Sequence, residues 1–321
     1  MKKTVSLLLA GLAGIANAQG YQPPRHTQNA PIMNAGEADT QAQADMGIQV
    51  ERDRDAPWLL AEHRRLTAAL AALKPQRKGT VDAYVVVAGL DSDPVFGREA
   101  REAAAVLTRR YGAEGHTILL AGTDGTAPSA LPMGSPDNIA LALARIAELM
   151  DKNEDVLVLY TTSHGAPFGI FYNDGDQGYG AISPTRLWQQ LSALGIRNRL
   201  IIVSACYSGV FVPMLSSDTT AIVTAASSDR SSFGCQADND WTFFGDALIN
   251  NALRKPQPLA AAAKEATGMI EGWERGARLK PSQPQVAIGA GTATWLGALE
   301  AHLPPATPPV GRPAITMLDQ K

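Results

Sequence analysis

The sequence predicts an α/β protein, a three-layer α/β/α sandwich around a mostly parallel central sheet. Three observations predict it. Two aliphatic and β-branched runs, VLVLYTTSHG (156–165) and LIIVSACYSG (200–209), each read as a buried strand that ends at polar or glycine residues. Between them SPTRLWQQLSALG (183–195) reads as a helix, with Ser183 as cap, Pro184 in the first position and Gly195 as stop. Strands and helices then alternate along most of the remaining chain, which implies crossover connections and parallel pairing.

The other elements follow from the same signals. A helix is expected over 57–73, with Trp58, Leu59, Leu66, Leu70 and Leu73 as its apolar stripe, and residues 74–79 as a linker. DAYVVVAGL (82–90) reads as a strand, 98–111 as a helix and HTILLAG (116–122) as a short strand. Residues 123–136 form a turn-rich loop before a helix over 137–150, whose Ile139, Leu143, Ile146, Leu149 and Met150 face inward. Further strands are expected at 219–227 and 283–289, with helices near 241–253 and 257–275. No internal repeat is visible.

Residues 1–18 have the pattern of a signal peptide: a basic start, an apolar stretch too short to span a bilayer, and Ala16-Asn17-Ala18 before a cleavage point. Export to a periplasm or medium is therefore expected, with Gln19 as the first mature residue. Residues 19–50 are rich in Gln, Ala, Asn and Asp without apolar periodicity and read as a disordered leader. The remaining expectations are an N-terminal helix and linker over 51–78, one catalytic-size domain over 79–298, and a Pro-rich tail over 299–321. The net charge of −3, or −5 once Lys2 and Lys3 are removed, points away from nucleic acid. No apolar run after the first residues is long enough for a membrane span.

The chemistry converges on two residues. If the strands 156–162 and 200–204 are neighbours, His164 and Cys206 lie just past the same carboxyl edge of one sheet, where open α/β folds place their sites. An imidazole beside a thiol makes the nucleophilic thiolate accessible near neutral pH. Gly165 lets a substrate carbonyl come close to the backbone, so its N–H and that of Cys206 are candidate oxyanion donors. The chain has two cysteines, Cys206 and Cys235, and in an oxidising compartment a disulfide between them is the competing reading. No HExxH, CxxC, P-loop, GxGxxG or GxSxG is present, so no metal or other cofactor is expected. NDGDQGYG (173–180) lacks the closing Glu of a calcium loop and reads as a turn. The pairs Asp91/Asp93 and Asp238/Asp240 are the oxygen-rich spots a cation would use, while His26, His63, His116 and His302 show no ligand spacing.

These residues resemble the legumain-type (C13) cysteine peptidases, of the caspase-like superfamily: a strand ending in His-Gly, a second ending in Ala-Cys-x-Ser-Gly, and TAASSDRSSFGCQADNDWTFFGDAL (224–248). VVVAGLDSDPVFGREAREAAAVL (85–107) is similar to that family's first strand, loop and helix. The resemblance implies a caspase-like fold and hydrolysis of peptide or protein substrates, with Cys206 as nucleophile, His164 as base and acid, and Gly165 as oxyanion donor. It also implies that Arg98, Ser231 and Asp246 line the primary specificity pocket. The sequence departs from the family at Ser204, where an acidic residue is usual, and at Glu99, which follows Arg98 and restores a carboxylate. The family carries a cysteine at the place of Cys235 with its nucleophile free. Two alternatives stay open: a transpeptidase or amidase on the same fold, and a non-catalytic envelope binding protein stapled by a Cys206–Cys235 disulfide.

Overall fold

The computed structural model describes residue 27, residues 36–122 and residues 130–317. The signal-peptide pattern, most of the expected leader, the loop tip 123–129 and the last residues lie outside these. In chain order the elements are α1 (Glu37–Met46), β1 (Gln49–Glu51), α2 (Ala56–Ala72), β2 (Ala83–Gly89), α3 (Pro94–Tyr111) and β3 (Thr117–Leu120). They continue with α4 (Pro136–Leu149), β4 (Val156–Thr162), β5 (Gly165–Ala166), β6 (Gly169–Asp174), β7 (Gly178–Ile182) and α5 (Pro184–Ala193). Last come β8 (Arg199–Ser204), α6 (Phe211–Leu215), β9 (Thr220–Thr224), a π-helical stretch Gly245–Asn251, α7 (Leu259–Gly276), β10 (Gln285–Ile288) and α8 (Ala293–Glu300).

Six strands form the central sheet in the order β10-β9-β8-β4-β2-β3, parallel except for the β10 edge. Strands buried on both faces need helices on both faces, and each strand's alternate side chains enter different cores. Val85, Val87, Val158, Tyr160 and Ile202 pack with α3, the π-helical stretch and α7. Tyr84, Val86, Leu157, Leu159 and Ile201 pack with α2, α4, α5 and α6 on the opposite side. Each fully buried aliphatic side chain contributes about 1.5–3 kcal/mol of transfer free energy, so the two layers hold the sheet from both sides. The expected three-layer α/β/α architecture with a mostly parallel sheet is the observed one. Helix α5 begins as its residues dictate, with Ser183 Oγ accepting the Arg186 N–H at 3.0 Å.

Four features depart from the sequence expectations. Residues 36–50, expected to be part of a disordered leader, form α1 and most of β1, and β1 pairs antiparallel with β7. The helix expected from Arg98 starts four residues earlier at Pro94. Residues 165–182 form, together with β1, a small antiparallel sheet in the order β1-β7-β6-β5, so only the centre of NDGDQGYG is a turn. The Pro-rich tail is docked: Val310 and Ala314 make hydrogen bonds to the protein body, and Ala314 is 1% exposed. Among the described residues no helix is long and apolar enough to cross a membrane.

Candidate active site

The β4 and β8 strands are direct neighbours, and Thr162 pairs with Ser204 at their ends. His164 and Cys206 each stand two residues beyond that pair, so matched register delivers both to one edge. The chain then crosses over itself tightly. A Cβ on Gly165 would lie 2.2 Å from the carbonyl oxygen of Cys206 and 3.0 Å from the Ala205 Cβ. Only glycine permits that approach, which keeps the residue after the imidazole pressed against the residue bearing the thiol.

The thiol sits among fixed donors. The Ser232 N–H donates to Cys206 Sγ at 3.2 Å, and Ser232 Oγ lies 3.6 Å away. The Cys235 hydrogen bond most of all, then those of Ser232 and the charge of His164, outweigh burial and bring the Cys206 pKa down to about 5. Cys235 keeps its proton, held well above the ordinary thiol value by that same bond and by burial. Both cysteines are free thiols in the structure.

The imidazole is placed more loosely. His164 Nε2 lies 3.4 Å from Asp93 Oδ2, with the two side chains 41% and 29% exposed. The Phe96 ring meets the imidazole edge-on, with centroids 5.0 Å apart. Burial disfavours the imidazolium, but the Asp93 hydrogen bond and the charges of Asp91, Asp93 and Cys206 together raise the His164 pKa above its ordinary value. Asp93 is a partner of His164 that sequence spacing alone did not identify; Asp91, Asp93 and His164 place one ligand atom each within 4.8 Å of one another.

Beneath the pair lies Glu99, 0% exposed. Its Oε1 accepts from Tyr160 Oη at 2.6 Å, Thr162 Oγ1 at 2.7 Å and Ser204 Oγ at 2.9 Å. Its Oε2 accepts from the Thr242 N–H at 2.9 Å and Thr242 Oγ1 at 2.8 Å. Five donors satisfy a buried carboxylate without a partner cation. They join β4, β8 and the residues before the π-helical stretch into one floor. Gly245 completes it, because a Cβ there would sit 2.0 Å from Glu99 Oε2.

The residues expected to line a specificity pocket are mostly engaged elsewhere. Ser204 is 2% exposed and bonded to Glu99. Asp246, expected in the pocket, is 1% exposed, and its carboxylate accepts from Asn250 at 2.8 Å, Asn251 at 3.1 Å and the Ala314 N–H at 2.8 Å. Burial raises its pKa. Arg98 donates to the Ala237 and Asn239 carbonyls. Ser231 is exposed, and its neighbour Ser232 is the one that touches the thiol. On the other side of Gly165, α1 and the β5–β6 turn enclose a groove of about 650 Å³, lined by Ala38, Gln41, Ala166, Phe168 and Phe171.

Fold and site define an α/β protein with a thiol and an imidazole both set on the carboxyl edge of its sheet. Residues 133–267 match the model of the peptidase C13 family, a segment that holds both reactive residues, the Ser232–Cys235 turn and the π-helical stretch. Over that segment the resemblance read from the sequence holds, and it supports a cysteine-type peptidase. Among solved structures the chain is similar to caspase-1 from Spodoptera frugiperda, at 14% identity and a TM-score of 0.44, over 67% of this chain and 92% of that one. No curated protein matches the chain.

Proposed function

We propose that this chain is an exported cysteine endopeptidase that cleaves peptide bonds through Cys206 and His164. One observation carries the reading: the Thr162–Ser204 register pair sets imidazole and thiol at equal distance past adjacent strand ends. In the proposed reaction the Cys206 thiolate attacks the scissile carbonyl carbon. The carbonyl electron pair moves onto oxygen, near the Gly165 and Cys206 N–H groups. With Nε2 held by Asp93, His164 uses Nδ1 to protonate the leaving nitrogen, the C–N bond breaks and a thioester remains. Water then attacks that thioester while His164 takes its proton, giving the acid and restoring the thiolate. Asp93 acts on His164 as a positioning residue.

Export is part of the same proposal and rests on the residue pattern 1–18. Cell fractionation with N-terminal sequencing tests it, Gln19 being the expected first residue. The catalytic reading is tested with iodoacetamide and a diverse fluorogenic peptide library. Labelling abolished in Cys206→Ala, with cleavage lost in both Cys206→Ala and His164→Ala, is the expected result. Cleavage that survives Cys206→Ala in purified protein overturns it.

A further inference from the structure

The loop that brings Ser232 and Cys235 to the thiol continues through residues 236–241, and it is held from two sides. From the protein body, Arg98 on α3 donates to the carbonyls of Ala237 and Asn239. From outside, the C-terminal segment lies across it. The Arg312 N–H donates to Asp240 Oδ2 at 2.8 Å, while the Arg312 guanidinium reaches the Asp238 carbonyl and, at 2.9 Å, Asp240 Oδ1. Trp241 Nε1 donates to the Val310 carbonyl at 2.9 Å.

That segment is itself anchored to the π-helical stretch. Asn250 Oδ1 accepts the Val310 N–H at 2.8 Å and its Nδ2 donates to the Val310 carbonyl at 3.0 Å, so one side-chain amide pairs with a whole residue as a β-partner would. Asp246 fixes the Ala314 N–H. A π-helical turn is a rare local structure, often kept for a functional reason, and here it presents both anchoring side chains.

We propose that residues 310–314 are a strap that positions the substrate-side loop 232–241, with Arg312 and Arg98 as positioning residues on its two sides. The inference rests on the cysteine-peptidase reading of the site. A half-exposed ion pair such as Arg312–Asp240 adds at most about 1 kcal/mol to stability, so its worth as a stability device is small. What these contacts do fix is backbone: carbonyls 237, 238 and 239 are each tied to a guanidinium. Ordering a loop costs about 1–2 kcal/mol per residue, and a strap that orders it before substrate arrives removes that cost from binding. The tail is therefore a working part of the enzyme and not a propeptide whose removal would release activity.

The test uses the full-length chain with Arg312→Ala and, as a second route to the same contact, Asp240→Asn. Hydrogen exchange of amides 236–241 is expected to speed up about tenfold in both, with KM for the pooled fluorogenic library rising several-fold, kcat changing less, and Arg312→Lys restoring part of each. Iodoacetamide labelling of Cys206 reports separately on the parent reading. Exchange unchanged in both variants overturns the strap, whatever the activity. So does a rise in activity, which would make the tail an inhibitor. Faster exchange in both variants, with no Cys206-dependent cleavage by the wild-type chain, would sink the peptidase reading and leave the strap standing.

Discussion

The two strand ends that meet at the candidate site are built to different tolerances. At the end of β8, Cys206 sits under a backbone N–H at 3.2 Å and beside a second thiol that keeps its proton, within a turn pinned by the Tyr207 N–H to the Arg230 carbonyl at 2.8 Å. At the end of β4, His164 has one 3.4 Å bond to a part-exposed carboxylate and an aromatic edge beside it. The sulfur's charge is supported by a backbone N–H and neighbouring side chains, whereas the imidazole is held by a single side-chain bond. Preorganisation is concentrated where the negative charge rests.

Cys206→Ala removes the attacking atom, and peptide cleavage is expected to fall by ~10⁴-fold or more; library turnover in purified protein measures it. His164→Ala comes next, at ~10²–10⁴-fold in kcat/KM, with iodoacetamide labelling of Cys206 retained because Cys235 and Ser232 still hold the thiolate. Loss of labelling together with activity would mean that the imidazole, not the turn, sets the charge of the sulfur. Glu99→Ala strikes the floor common to both ends. It leaves several buried donors unpaired at about 1–3 kcal/mol each, and a thermal melt should show a drop of many degrees.

The pH profile separates the two ends further. Cys206, lowered to about 5, loses its proton first, and His164, raised above its ordinary value, keeps its proton past neutral. Alkylation is therefore expected to rise through about pH 5, and cleavage to decline on the alkaline side as the imidazolium is lost. Cys235→Ser weakens the first-ranked donor and should move the alkylation midpoint upward; an unmoved midpoint would assign the charge to Ser232 and His164 alone. Asp93→Asn is the mildest change. It should cost about tenfold in kcat/KM, equivalent to ~1.4 kcal/mol, and bring the alkaline limb to lower pH, since the Asp93 bond is the foremost contribution raising the His164 pKa.

Much of this architecture was legible in the residues. Val156–Thr162 and Arg199–Ser204 announce themselves as buried strands by apolar content, and Ser183-Pro184 marks the start of α5. Other regions were not legible because their order comes from partners far along the chain. Nothing local marks Gln49–Glu51 as a strand; it is one because β7 offers an open edge. The Arg54 guanidinium then meets Asp174 and, at 3.1 Å, Glu51. The tail likewise lacks apolar periodicity, yet Asn250 and Asp246 supply the bonds that a helix or strand would have supplied from within. Asp246 is placed in a pocket by the resemblance read from the sequence, but here the tail occupies its carboxylate.

By itself the sequence determined the layers, the parallel order implied by alternating elements and the placing of one thiol and one imidazole at strand ends, because burial periodicity and capping are local properties of the chain. Only the tertiary structure decided which carboxylate faces His164, which thiol stands beside Cys206, and that Glu99 ties the floor together. Those are contacts between residues tens of positions apart, and no local preference encodes them.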